Sequence, residues 1–306
     1  MKEYLENVRC VAPLIHNITN YVTANDVANV LLACGASPIM ADEEAEVEEI
    51  TAHCMGLNLN LGTLNQKKIP AMQKAGKMAN KLGHVVVLDP VGVGASSFRK
   101  QTAEQLLKEV RFDVIRGNIS EIKTLASLCG TQEKNSGNMA VSDTMDVEKI
   151  TDKSDHCGKI TGIDGSGRGV DADNADTVTE ENLAQHISNA KMLSKKLQTI
   201  VAITGAIDLV TDGSSCYVIR NGNPQMGHVT GAGCQLSGIL TAFLAANPEN
   251  KLQAAAAAVC MMGYAGELAA EKSGQSGSGT YRVSLMDAVS CMDGDILERG
   301  ARYEIR

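Results

Sequence analysis

The chain has 306 residues, of which 44% are hydrophobic and 21% charged, values that are typical of globular proteins. A net charge of −8 and a pI of about 5.3 argue against a nucleic-acid-binding protein, because binding to the phosphate backbone needs clustered Lys and Arg. Nine cysteines without a C-x-x-C pair and an N-terminus without a long apolar run predict reduced thiols and a cytoplasmic location. No membrane association is predicted, because no stretch approaches roughly 18 apolar residues.

Short apolar segments alternate with amphipathic ones along most of the chain. Near-continuous apolar runs predict strands at 37–40, 57–61, 85–88, 113–115 and 200–203. Apolar residues spaced by three and four predict helices at 24–33, 43–54, 65–82, 100–109, 119–128, 181–197, 232–246, 251–272 and 285–298. Two further runs, split by a Gly-Ser-Ser turn, predict an antiparallel edge hairpin at 208–212 and 216–220.

This order predicts an α/β fold with a mainly parallel central sheet, helices on both faces and an edge hairpin. We expect one domain over residues 1–306. Residues 130–180 break the alternation, since they are polar, weakly periodic and rich in Asp, Ser, Gly and Thr. They predict a surface insertion at about 130–165 rather than a second domain.

The strongest functional signal is the segment GHVTGAGCQLSG at residues 227–238. Its core, Gly231-Ala232-Gly233-Cys234, leads directly into an apolar helix, so the free N–H groups and the positive dipole end of that helix face the turn. Such a turn is a candidate anion hole for phosphate, and glycine allows close backbone approach. The alternative is a glycine turn that only starts a helix. Neither a Walker A nor a G-x-G-x-x-G sequence is present.

Cys234 is the candidate catalytic residue in this turn. A helix N-terminus favours the thiolate, yet at an ordinary pKa of about 8.5 only roughly 3% of the thiol is ionised at pH 7. Cys234 is therefore a weak base, a group that positions the substrate, or a small buried residue that packs a helix start.

Charged and hydroxyl residues follow several predicted strands. Asp89 and Glu121 come after two neighbouring strands, where a carboxylate pair could hold Mg²⁺ beside nucleotide phosphates, although both positions also suit turn and helix capping. Arg116 stands at the end of the predicted strand 113–115 and Thr204 follows the predicted strand 200–203, and both are candidate phosphate contacts. A surface salt bridge and a plain turn are their structural alternatives.

Two N-terminal features suit a small ligand. Residues 13–29, PLIHNITNYVTANDVAN, place Asn and Thr side chains among apolar ones, and these include Asn20 and Asn25. Such side chains bind small polar ligands or cap turns and helices. Met40 ends the predicted strand 37–40 and could form a wall against a heterocycle, or it could belong to the core.

Taken in order, these segments resemble the hydroxyethylthiazole kinase family of the ribokinase-like superfamily. The resemblance runs through PLIHNITNYVTANDVAN, LLACGASPIMADEEAEVEEI, LNLNLGTL, VVVLDPVGVGAS, VIRGNISEI, GRGVDA, VAITGAIDLVTDG and HVTGAGCQLSGIL. It covers most of the chain outside residues 130–165 and the last few turns. Residues 130–165 depart from the family by being longer than in compact members.

The resemblance implies ATP- and Mg²⁺-dependent phosphorylation of 4-methyl-5-(2-hydroxyethyl)thiazole in thiamine synthesis, by a homotrimer with active sites between subunits. The implied substrate contacts are Met40, Gly231 and Asn25, with Asn20 as another candidate. Arg116 and Thr204 match ATP contacts, and Asp89 and Glu121 match acidic positions near magnesium. Cys234 stands where related sugar kinases carry an aspartate base.

Three other functions stay open at this point. The chain could be a kinase for another heterocyclic alcohol of the pyrimidine or pyridoxal type. It could be an ATP-dependent dehydratase of the same broad fold, against which the cysteine in the turn argues. It could also be a regulator that binds a thiazole or a nucleotide without catalysis.

Overall fold

A computed structural model describes residues 1–128 and 178–306. The described residues form one nine-stranded sheet in the order β2-β1-β3-β4-β5-β6-β7-β8-β9. The strands from β2 to β6 pair in parallel, and β6 to β9 pair antiparallel. The strands are β1 (Leu14–Ile18), β2 (Ser37–Met40), β3 (Gly56–Asn60), β4 (Val85–Asp89), β5 (Val114–Gly117), β6 (Ile200–Ile203), β7 (Asp208–Thr211), β8 (Cys216–Ile219) and β9 (Tyr303–Ile305).

Helices cover both faces of this sheet. They are α1 (Lys2–Val11), α2 (Ala24–Cys34), α3 (Val47–His53), α4 (Lys68–Leu82), α5 (Ser97–Glu109), α6 (Ile119–Leu128), α7 (Leu183–Leu197), α8 (Ala232–Ala246), α9 (Lys251–Ser273), α10 (Ser278–Cys291) and α11 (Gly294–Gly300). One apolar core lies beneath α1, α2 and α8 to α11, and the other lies beneath α3 to α7. Strand β4 serves both, because Val87 faces the first core and Val86 and Leu88 face the second.

Helix α8 is the central helix of the first core. From Cys234 to Ala246 every residue is buried, and α8 contacts α1, α2, α9, β3 and β4. Small side chains make this close packing possible, including Ala254–Ala258 on the neighbouring α9. The N-terminus of α8 is thereby held at the carboxyl edge of the parallel strands.

Helix α9 is long and apolar, and most of it lies in the core of the described residues. By length and composition alone, the helical stretch Pro248–Ser273 could cross a membrane. In the described structure 72% of its most apolar window is buried, as is usual for a core helix.

The predicted fold class is confirmed, with several differences in its elements. Helix α1 and strands β1 and β9 were not predicted from the sequence. Strand β1 was not predicted because it contains polar residues, but these residues have hydrogen-bond partners: His16 Nδ1 lies 2.9 Å from Thr51 Oγ1 on α3, and Asn58 Nδ2 on β3 donates to Asn17 Oδ1 at 3.0 Å. Buried side chains can therefore be polar when a neighbouring strand or a covering helix supplies partners.

The C-terminal region also differs from the prediction. Strand β9 pairs with β8, so the β7–β8 hairpin does not form the edge of the sheet. The single helix predicted at 285–298 is two helices, α10 and α11, because Asp293 caps the second by accepting from Ile296 N at 2.7 Å. The expected insertion at 130–165 lies outside the described residues, and the single domain stays a prediction.

Candidate active site

A cleft of about 1120 Å³ lies beside the N-terminus of α8, at the carboxyl ends of the parallel strands. Ligands of open α/β sheets bind at this edge, because the loops after the strands converge there. The predicted site residues that line the cleft are Asn20, Arg116, Glu121, Thr204, Gly231, Ala232, Gly233 and Cys234. Met40, Asn25 and Asp89 are not among the lining residues.

Asp89 lies at the end of β4 and is fully buried. One carboxylate oxygen, Oδ2, accepts from Asn60 Nδ2 at 2.8 Å and from Ser237 Oγ at 2.8 Å. The other, Oδ1, accepts no hydrogen bond from the described residues and is 3.6 Å from Arg116 Nη1. Burial raises the pKa of Asp89, and the Arg116 charge opposes that rise. A ligand cation would supply the interaction that Oδ1 lacks.

Arg116 and Thr204 are brought together on the neighbouring strands β5 and β6. Arg116 Nη2 donates to Thr204 Oγ1 at 2.7 Å, whereas Arg116 Nε, which is buried, has no partner among the described residues. The guanidinium lies against Gly233, where any Cβ would overlap it. A fixed cation therefore stands directly beside the start of α8.

Glu121 suits both roles that its sequence position leaves open, helix capping and contact with a metal ion. Its Oε2 accepts from Asn118 N at 2.9 Å while Asn118 Oδ1 accepts from Glu121 N at 2.8 Å, which is a reciprocal helix cap. Its Oε1 accepts from Gly92 N at 2.7 Å. Burial, with the charge of Asp89 as the next cause, raises the pKa of Glu121. Both oxygens are thus partly occupied, so Glu121 suits contact with a metal through water.

The acidic groups fit Mg²⁺ only in combination with a ligand. No cluster of three or more His, Cys, Asp and Glu side chains in the described part of the chain could hold a metal. Mg²⁺ is usually bound by one or two carboxylates together with water and substrate phosphates. Asp89 Oδ1 is an oxygen with coordination capacity to spare, so the residues present fit that arrangement.

The turn before α8 has the backbone that the sequence predicts. Gly231 has φ of +85°, and a Cβ there would overlap the side chain of Thr23. The helix begins at once, since Gln235 N donates to Gly231 O at 2.9 Å. The N–H groups of Ala232, Gly233 and Cys234 have no carbonyl partner within α8, as in the first turn of any helix. These N–H groups lie beside Arg116 and stay the candidate anion-binding element.

Cys234 is 8% exposed and lies between two asparagines. Its Sγ is 3.2 Å from Asn20 Nδ2 and 3.2 Å from Asn60 Nδ2. Burial, and after it the negative charge of Asp89, raises the pKa of the thiol above its ordinary value. Burial of the thiol thus acts against the thiolate that the helix dipole favours.

Met40 and Asn25 are placed away from the other candidates. Met40 ends β2, which is an edge strand of the sheet, and is 39% exposed. Asn25 lies in the first turn of α2, is exposed, and its Oδ1 accepts from Asn29 Nδ2 at 3.1 Å. Their substrate contacts stay predictions.

Three residues in or beside the cleft were not predicted from the sequence. Asn60 had a usable signal, because Asn58 and Asn60 alternate with leucines in a strand that was expected to be buried. Ser237 lies one helical turn after Cys234, a spacing that brings both to one face of α8. Asp208 had no local signal. It begins β7, lines the cleft, and accepts from Gly205 N at 2.8 Å, and burial raises its pKa to about 7.

The cleft therefore has two halves on either side of the start of α8. The charged half consists of Arg116, Glu121, Thr204 and Asp208, together with the fully buried Asp89, which pairs with Arg116. The neutral half consists of Asn20, Thr23 and Cys234, together with the fully buried Asn60, which contacts Asn20 and Cys234. In the neutral half, Asn20 Oδ1 accepts from Thr23 N at 3.1 Å and from Thr23 Oγ1 at 3.0 Å, so the amide network is internally satisfied.

Comparisons with known proteins agree on one family. The model of the hydroxyethylthiazole kinase family matches residues 5–153 and 131–295. A hydroxyethylthiazole kinase of Clostridium acetobutylicum is 52% identical over 305 residues, covering 99% of this chain and 99% of the relative. The structure of a hydroxyethylthiazole kinase from Pyrococcus horikoshii is 31% identical, with a TM-score of 0.78 over 99% of this chain and 98% of its own.

A more distant structure agrees on the fold alone. A ribokinase-like superfamily protein of Enterococcus faecalis is 12% identical and has a TM-score of 0.56, covering 94% of this chain and 88% of its own. The predicted family and the predicted ribokinase-like fold are confirmed.

Proposed function

The chain belongs to the hydroxyethylthiazole kinase family, and from this premise we propose that it transfers the γ-phosphoryl group of ATP to the primary hydroxyl of 4-methyl-5-(2-hydroxyethyl)thiazole. The products are the thiazole phosphate and ADP. One observation carries the proposal: the N-terminus of α8 stands between a charged half and a neutral half of one cleft. A phosphoryl group passing from nucleotide to alcohol needs this arrangement of donor side, anion hole and acceptor side.

The charged half is the place for the nucleotide phosphates. Arg116 and Thr204 would contact them, since the guanidinium already lies beside the first turn of α8. Asp89 would hold Mg²⁺ directly, and Glu121 would do so through water. When bound, Mg²⁺ supplies positive charge that neutralises the phosphate oxygens.

The transferring group would lie on the backbone of the turn. Gly231, Ala232 and Gly233 form the proposed anion hole, whose N–H groups would donate to the oxygens of the transferring group. Because transition states of phosphoryl transfer are loose, positioning and charge neutralisation supply most of the rate. The close approach of Arg116 to Gly233 adds a charge at the same point.

The neutral half would hold the alcohol. The amides of Asn20 and Asn60 and the thiol of Cys234 converge there and offer hydrogen bonds without a charge. Since the pKa of Cys234 is raised, the thiol is a poor proton acceptor at neutral pH. We therefore assign Cys234 to orienting the hydroxyl rather than to removing its proton.

Met40 fits this function only if copies of the chain associate. It lies on the exposed edge of the sheet, outside the cleft of the same chain. We propose a cytoplasmic homotrimer in which the edge at β2 approaches the cleft of a neighbouring copy. Light scattering after gel filtration would give three times 32.3 kDa for such a trimer, and one times that mass would refute it.

ADP release tests the activity directly. ATP and Mg²⁺ are supplied with the thiazole alcohol, a pyrimidine alcohol or pyridoxal in parallel assays. We expect the thiazole alcohol to give the highest kcat/KM. Preference for another alcohol would change the substrate class, and no ADP release with any of them would favour a non-catalytic regulator.

A glycine substitution tests the anion hole. Gly231→Val should lower kcat/KM by about 100-fold, because it removes the positive φ and drives a side chain into Thr23. Gly83→Val is the matched control: Gly83 also has a positive φ, of +73°, but a Cβ there meets nothing within 4 Å. Near-normal turnover in Gly231→Val would exclude the turn from catalysis.

A further inference from the structure

A second polar cluster lies beside the cleft, at the carboxyl ends of β1, β2 and β3. Lys68, at the start of α4, is only 2% exposed, and its Nζ donates to the main-chain oxygen of Thr19 at 2.7 Å. Nζ is also 3.2 Å from Asp42 Oδ2 and 3.8 Å from the centroid of the Tyr21 ring. The Tyr21 hydroxyl donates to the same Asp42 oxygen at 3.3 Å. We call Lys68, Asp42 and Tyr21 the lysine clamp.

The clamp ties two loops to one buried charge at the start of α4. A buried ammonium is costly unless it has partners, and Lys68 has a carbonyl, a carboxylate and an aromatic face. These partners come from the loop after β1 and the loop after β2, while Lys68 itself follows β3. Any movement of the loop after β1 would remove two of the three interactions at once.

That loop, residues 19–23, forms one wall of the neutral half. The carbonyl bound by Lys68 belongs to the peptide group immediately before Asn20, whose side chain contacts Cys234 Sγ. Val22 and Thr23 of the same loop line the cleft.

A second contact holds the loop from the side of β3. Tyr21 N donates at 3.1 Å to Oγ1 of Thr63, a lining residue with an unusual φ of +40°. A non-glycine residue is held in that region of φ only by its surroundings. The loop after β1 is thus fixed at its backbone and at its aromatic ring.

We propose that the lysine clamp is a positioning device that holds the loop 19–23 in the conformation that binds the acceptor alcohol. The inference rests on the proposed function, since it assigns the clamp to the alcohol side of that reaction. Lys68 touches neither substrate; it acts through Thr19, Asn20 and Tyr21. Because the clamp has no contact with the charged half, its loss should affect the alcohol and spare the nucleotide.

The test separates the KM values of the two substrates. Lys68→Met keeps an unbranched side chain of similar length and removes the charge, and Asp42 is left 40% exposed, so that water can solvate it. We expect the KM for the thiazole alcohol to rise about 10-fold while the KM for ATP stays within about twofold. A purely structural role would lower the melting temperature and leave the ratio of the two KM values unchanged. That result would overturn the proposal.

Lys74→Met is the matched control. Lys74 also lies on α4, and its Nζ is 3.0 Å from Glu44 Oε1 in the loop after β2, but it is 45% exposed and has no contact with residues 19–23. Both KM values should be unchanged in this variant.

Tyr21→Leu, at a site 66% exposed, removes the aromatic face without disturbing the core and should raise the alcohol KM about threefold. It keeps the proposal testable if Lys68→Met does not fold.

Hydrogen exchange provides a readout that needs no activity. Lys68→Met or Tyr21→Leu should speed amide exchange in peptides that cover residues 19–23, and Lys74→Met should not. Unchanged exchange in both clamp variants would refute the clamp, whatever the substrate. If the wild type releases no ADP with any alcohol, the proposed function fails, and exchange alone then decides whether the clamp holds the loop.

Discussion

The two halves of the cleft differ in how completely their polar atoms are paired. In the neutral half, Asn20 and Asn60 bond to each other, to the thiol and to the adjoining loop. In the charged half, Asp89 Oδ1 and Arg116 Nε are buried without a hydrogen-bond partner among the described residues. The proposed alcohol side is therefore organised in advance, whereas the proposed phosphate side has buried polar atoms that a ligand would pair.

The same difference has an energetic consequence. Folding buries acidic groups in the charged half, and burial raises the pKa values of Asp89, Glu121 and Asp208. The fold therefore tolerates unfavourable charges where a nucleotide and a cation would compensate them. Substitutions in the two halves should accordingly affect stability and activity in different ways.

The largest expected effect concerns stability and Asp208. Its pKa is about 7 in the folded protein against an ordinary value of 3.8 for an aspartate in water, so the folded state binds this proton more tightly. This group contributes fully to the free energy of unfolding below about pH 4. As the pH rises to about 7, that free energy falls by roughly 4 kcal/mol. Asp208→Asn should thus become more stable than the wild type with increasing pH.

Urea unfolding between pH 4 and pH 8 measures this difference. Asp212→Asn, at an exposed position after the same strand, is the matched control and should follow the wild type. A constant free-energy difference between Asp208→Asn and the wild type across the range would show that Asp208 is not buried as an acid.

The next largest effect should come from Asp89. Asp89→Asn keeps the size and the acceptor for Ser237 but removes the charge that faces Arg116. We expect kcat/KM to fall by about 100- to 1000-fold, which is about 3–4 kcal/mol. Thermal stabilisation by ATP with Mg²⁺ should be lost as well, and scanning fluorimetry would detect this.

A control for Asp89 lies at the opposite end of the same strands. Asp113 precedes β5, and its Oδ2 accepts from Val86 N at 2.8 Å, far from the cleft edge. Asp113→Asn should lower stability but keep ligand-dependent stabilisation. Equal losses of activity in the two variants would mean that Asp89 acts only through the fold.

Cys234→Ser should have the smallest effect of the three. Serine keeps a small group that can accept from the two asparagines, so we expect kcat to fall about 10-fold and the KM for ATP to be unchanged. Steady-state kinetics with each substrate varied in turn gives both values. A loss above about 1000-fold would instead make the thiol an essential base, against the direction of its raised pKa.

The sequence predicted the charged half better than the neutral one, for a physical reason. Asp89, Arg116 and Thr204 each follow an apolar strand directly, so the convergence of parallel strands places them together. Asn60 ends β3 and Asn20 lies in the loop after β1, a strand that was hidden because His16 and Asn17 broke its apolar pattern. Their roles depend on partners from distant segments, which periodicity along the chain does not reveal.

Contacts between residues far apart in the sequence also explain two features that were not predicted, the raised pKa of Cys234 and the burial of Lys68. The raised pKa of Cys234 depends on burial and on Asp89, which lies 145 residues earlier in the chain. The helix dipole, a local feature, predicted the opposite direction. The buried state of Lys68 likewise depends on Thr19, Tyr21 and Asp42, none of which is adjacent to it in sequence.

The pairing of Asn60 with Asp89 in the sheet has a consequence for folding. These residues are partners in the β3–β4 register, and Asn60 contacts both the carboxylate and the thiol. A slip of one residue between the strands would turn one of the two side chains to the other face of the sheet and separate the two halves. Catalytic turnover therefore requires the correct β3–β4 register. A compact chain in which these strands are paired out of register would be inactive.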